Sequence, residues 1–84
     1  WFQLAAEQGN PRAQFALAKL YFEGQGLPQN YITAHMWFNI AASGGDERAA
    51  KMRDMVSELM TSDQISEAQK RTTVCIRSGY EGCN

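Results

Sequence analysis

WFQLAAEQGNPRA at residues 1–13 and WFNIAASGGDERA at residues 37–49 are two versions of one phrase, set 36 residues apart. Trp, Phe, two Ala, Gly, Arg and a last Ala coincide, seven identities in thirteen positions. Leu4/Ile40 and Asn10/Asp46 are conservative exchanges. A period between about 20 and 50 residues marks a solenoid, whose units are each too small to bury an apolar face alone and do so against their neighbours. One unit here reads helix, Gly-rich loop, helix, short Gly turn.

Helix punctuation supports that division. Gly9 ends a first helix in the left-handed conformation, Asn10 caps the next, and Pro11 suits its first position. PRAQFALAKLYFE then runs without a breaker, with Ala13, Leu17 and Tyr21 at helical spacing. GQGLPQN is a loop. Asn30 caps a third helix, YITAHMWFNIAAS, with Ala34, Trp37, Phe38 and Ala41 as its apolar stripe, and Gly44 and Gly45 stop it. Asp46 caps a fourth, ERAAKMRDMVSELM. Thr61 with Gln64 forms a capping box for a fifth, SDQISEAQKRTTVCI, whose apolar positions are Ile65, Ala68, Val74 and Ile76. The expectation is an all-α chain of about five short antiparallel helices.

The pattern Ala13, Leu17-Ala18, Tyr21, Gly24-Gln25-Gly26-Leu27-Pro28, Ala34, Trp37, Ala41-Ala42, Gly45 resembles the Sel1-like repeat, a relative of the tetratricopeptide repeat. Ala18 stands where that family usually has Gly, a small enough change to keep helices close. The resemblance implies an α/α solenoid over residues 1–60: the second helix of one repeat, a full repeat, and the first helix of another. After Met52 the second copy loses the Tyr and the GxG loop, so residues 61–84 read as a capping helix and tail. Trp1, Phe2 and Leu4 then face a helix absent from this stretch, an edge suited to self-association.

Composition narrows the function. Eighty-four residues make one small domain with a thin stability margin. Net charge is −1 without any block of like charge, which argues against nucleic acid as a partner. No apolar run approaches the roughly 20 residues of a membrane span. The chain opens on Trp rather than Met and reads as a piece of a longer, bacterial protein. Its cysteines, Cys75 and Cys83, either close a disulfide or remain two free thiols. A bridge would point to the periplasm or the outside of the cell. Zinc would need about four ligands, and only His35 is left to join them.

Catalytic chemistry finds little support. Trp1, Tyr21, Trp37 and Phe38 occupy the packing positions that the resemblance implies. Gly24 and Gly26 follow a helix and lack the Lys and Ser/Thr of a phosphate loop. His35 is expected on the surface of its helix, with no serine, cysteine or carboxylate at helical spacing to make it a base. Met36, Met52, Met55 and Met60 read as core filler, Met55 being the one of the four with a surface position as its alternative. No metal or other cofactor is implied.

One line of side chains lies beside the core stripe. Arg12, Phe15, Lys19 and Phe22 follow one another at spacings of 3, 4 and 3 on the second helix. Their counterparts on the fourth are Arg48, Lys51, Met55 and Glu58. The resemblance places first helices on the concave side of the superhelix, where such a line would take a peptide or an acidic segment. The alternative is that Phe15 and Phe22 pack on neighbouring helices. The expected function is a non-catalytic protein–protein scaffold. The other reading is an end-capping structural part of a larger cell-envelope or wall-associated protein whose activity lies elsewhere in its chain.

Overall fold

The computed structural model describes residues 2–24, 29–80 and 83, with side chains from Ala5 onward. Five helices follow in order: α1 (Phe2–Glu7), α2 (Pro11–Glu23), α3 (Tyr31–Ser43), α4 (Glu47–Ser57) and α5 (Ser62–Arg77). No strand occurs among the described residues. Gln25, Gly26, Leu27 and Pro28 of the expected loop lie outside them, as do Trp1 and the side chains of Phe2 and Leu4 that were to form the N-terminal edge.

The helix starts follow the capping chemistry. Asn10 Oδ1 accepts from the backbone N–H groups of Arg12 and Ala13 at 3.0 and 3.3 Å. Asp46, its repeat counterpart, accepts from Arg48 and Ala49 at 3.0 and 3.4 Å. Asn30 accepts from the Thr33 N–H. Thr61 and Gln64 exchange both bonds of a capping box, at 2.9 and 3.1 Å. Gly24 closes α2 at φ +72, a conformation that costs glycine little and β-carbon residues more.

α3 is the centre of the fold, packed against α2, α4 and α5. Its burial is therefore not confined to the expected stripe of Ala34, Trp37, Phe38 and Ala41. Thr33, His35, Met36 and Ile40 are buried as well. The reason is visible in its composition: YITAHMWFNIAAS contains no Asp, Glu, Lys or Arg. A helix without a charged face has no side to turn to water. His35 is thus a correction to the surface position expected for it, at 2% exposure.

α5 also differs from expectation. Ala68 is buried as expected and Ile65 half-buried, but Val74 and Ile76 are exposed, Val74 at 64%. Thr72 and Cys75 take the inward positions instead. Thr72 can be buried because its hydroxyl donates to the Ala68 carbonyl at 2.8 Å, which satisfies its polar group within the helix. Cys75 is turned inward and bridged to Cys83, their Cα atoms 5.2 Å apart. Among the described residues there is no free cysteine. The backbone reverses after Ser78 through Gly79 and Tyr80, both at positive φ, and the Tyr80 N–H donates to the Cys75 carbonyl at 2.8 Å. The returning tail sets the Tyr80 ring against Gly9 in the turn between α1 and α2.

Candidate binding face

The two turns that precede α2 and α4 lie side by side and enclose an open cleft of about 920 Å³. Gln8, Gly9, Asn10, Pro11 and Arg12 form one wall, and Gly44, Gly45, Asp46, Glu47 and Arg48 the other. Each residue of one wall is the repeat counterpart of a residue of the other, shifted by 36. The cleft is therefore a product of the repeat itself.

From this cleft the two lines of side chains extend along α2 and α4. Arg48 joins them: its guanidinium carbon stands 4.6 Å from the centroid of the Phe15 ring. A cation over an aromatic face is attracted by the ring quadrupole, by about 0.5–1 kcal/mol at an exposed site. Arg48 also donates from Nη2 to Asp46 at 3.2 Å. That bond is the leading cause holding the Asp46 carboxyl below its ordinary range.

Phe15 does not stand free. It meets Phe38 edge-on with centroids 5.6 Å apart, and Phe22 lies tilted against Tyr31 at 5.7 Å. Both rings are half-buried, so each is partly a packing residue and partly surface. Arg12, Lys19, Arg48, Lys51 and Glu58 are exposed. Met55 is 55% exposed, the surface alternative rather than core filler, and Leu59 one turn further on is also exposed.

Two polar residues of the interior were not anticipated as partners. Gln14 is buried and donates from Nε2 to the Ala6 carbonyl at 3.0 Å, tying α2 to α1. His35 Nε2 lies 2.9 Å from Ser57 Oγ, and Ser57 in turn donates to the Arg53 carbonyl at 2.9 Å. With the serine proton so committed, Nε2 is the donor to Ser57. His35 Nδ1 is then a buried acceptor without a hydrogen-bond partner. One turn along, Arg53 Nη1 donates to Asn39 Oδ1 at 3.1 Å. The two bonds form a polar seam between α3 and α4. The signal for it was tertiary, since His35 and Ser57 are far apart in the chain.

Short helices that repeat every 36 residues and stack around shared faces define an α/α helical-repeat protein. The chain belongs to the Sel1 repeat family, whose model matches residues 1–10 and 11–46. It is also similar to the chitin synthase regulator SKT5 of Saccharomyces cerevisiae, at 41% identity over 49 residues, 58% of this chain. The match spans only 7% of the yeast protein's length. No solved structure matches the chain significantly. Sel1 repeats generally mediate protein–protein interaction. Among the described residues no helix is long and apolar enough to cross a membrane, and no group of His, Cys, Asp and Glu could hold a metal ion.

Proposed function

We propose that this chain is a protein-binding module that takes a peptide or protein segment along the face shared by α2 and α4. The observation that carries the reading is the contact of Arg48 with Phe15. It sets the first cation of the α4 line against the first ring of the α2 line, and we extend that pairing to Arg12, Lys19 and Phe22 on one side and Lys51 and Met55 on the other. Residues 1–60 act as the repeat array and residues 61–84 as its cap. The module has no chemistry of its own. The histidine–serine pair among the described residues, His35 and Ser57, is part-buried, and the serine proton is already given to the Arg53 carbonyl. The bridged cysteines favour an oxidising compartment, periplasmic or extracellular. The yeast relative is named as a regulator of an enzyme, a role that binding alone can serve.

The test is capture with the immobilised protein and with a double charge reversal, Lys19→Glu/Lys51→Glu. Both positions are exposed, so thermal melts of the variant should match the parent. A partner held by the parent and lost by the variant supports the face. Equal retention by both overturns it.

The second reading, a structural end cap, draws on the tail. Tyr80 returns to Gly9, so the tail folds back onto the turn between α1 and α2. Under that reading the double reversal changes nothing, while loss of the Cys75–Cys83 bridge disrupts attachment to the remainder of the protein.

A further inference from the structure

We infer that the segment accepted along α2 and α4 is acidic, with one carboxylate held by Arg12 at the cleft and an apolar side chain lying over Met55 and Leu59. This rests on the binding face described above and adds the chemistry of the partner.

Repeat symmetry supplies the first argument. Asp46 caps α4 and also holds Arg48. In the first copy its place is taken by Asn10, which caps α2 equally well through Oδ1. A neutral amide, however, leaves the Arg12 guanidinium without the carboxylate that its counterpart has. No acidic side chain lies in ion-pair reach of Arg12 among the described residues. One arginine of the cleft is neutralised from within, and the other is left to a partner.

Charge along the face gives the second. Lys19 and Lys51 are exposed and also without an ion pair among the described residues. On α4 and its C-cap, Asp54 pairs with Arg53, Glu47 precedes the line in the cleft wall, and Glu58 ends it. Between Glu47 and Glu58 the α4 line carries Arg48 and Lys51, and the α2 line carries Arg12 and Lys19.

Geometry sets the spacing. Arg12 and Arg48 share the cleft, and Met55 lies seven residues beyond Arg48, about 10 Å along the helix at 1.5 Å per residue. An extended chain advances about 3.3 Å per residue, so about three residues separate the carboxylate from the apolar group.

The experiment is fluorescence anisotropy on the protein with two short synthetic peptides. One carries Glu followed about three positions later by Leu, and the other has Gln in place of that Glu. The Glu peptide should bind on the order of tenfold more tightly, and Arg12→Gln should erase the difference. Added salt should weaken the Glu peptide selectively, as the partner of an exposed cation. If both peptides bind equally and Met55→Ser weakens both, the face stands and the acidic preference is overturned. If neither peptide binds, or neither responds to Met55→Ser or Arg12→Gln, the binding face itself is overturned.

Discussion

Gly44 and Pro11 approach so closely that a Cβ built on Gly44 would stand 2.8 Å from Pro11 Cγ. The first copy of the repeat has Gln8 at the position of Gly44, so the bare α-carbon is specific to the place where the two turns meet. Gly44 itself has φ −82, which any residue adopts, and the constraint is steric alone. Gly44→Ala should therefore destabilise by about 1–3 kcal/mol, the cost of overpacking a close contact. Gly45→Ala meets no neighbour but forces a β-carbon onto φ +103, at a cost of about 1 kcal/mol. Urea melts of both variants check this. A Gly44→Ala midpoint equal to the parent would mean that the turns separate freely.

Trp37 is wholly buried, and Trp37→Ala should cost about 3–5 kcal/mol. Ser57→Ala should cost about 1–3 kcal/mol, because it leaves the buried Nε2–H of His35 without an acceptor. Had His35 been on the surface, neither it nor Ser57 would matter at that level. Chemical denaturation of Ser57→Ala decides the point, and a loss below about 0.5 kcal/mol, typical of a surface substitution, would detach His35 from α4.

The same histidine makes stability depend on pH. Its pKa is lowered from 6.5 by burial first and by the nearby Arg53 cation next, with Asp54 opposing. In the unfolded chain the imidazole keeps its ordinary value and binds a proton more readily. Stability from this group is therefore fully present above pH 6.5 and declines as pH falls below it toward the folded value. Asp46 adds a separate loss as pH falls below its ordinary value of 3.8 toward its lower folded value, where the carboxylate that Arg48 holds takes up a proton. Urea melts at about pH 7.5 and about pH 5 should show the parent weakened at the lower value. His35→Gln, which cannot titrate, should show a smaller change; an equal change in both would assign the slope elsewhere.

The bridge between Cys75 and Cys83 closes a short loop, and Cys83→Ser should cost about 2–3 kcal/mol on loop-entropy grounds. Protein taken from its native compartment and denatured without reductant should present no reactive thiol. Two thiols per chain under those conditions would rule the bridge out.

Local chemistry made most of the fold legible. Asn10, Asn30, Asp46 and Thr61 announce their helices because capping is settled within a few residues. Burial was harder where it depends on several neighbours at once. The lack of charge in α3 was open to view, but reading it as a single stripe hid His35, whose partner sits on another helix. Val74 and Ile76 misled for the opposite reason. They are apolar, yet the bridge turns Cys75 inward and leaves them on either side. The cations of the α2–α4 face could be lined up from spacing alone. The half-burial of Phe15 could not, since Phe38 reaches it only once α3 has packed.

The meeting of Tyr80 with Gly9 bears on the order in which the chain folds. Contacts between successive helices are local and close quickly, so the repeats can assemble from neighbour to neighbour. The Tyr80 contact joins residues near opposite ends of the sequence and cannot form until the intervening helices are in place. Docking of the tail therefore closes a longer loop than any contact between successive helices does, at a larger cost in chain entropy.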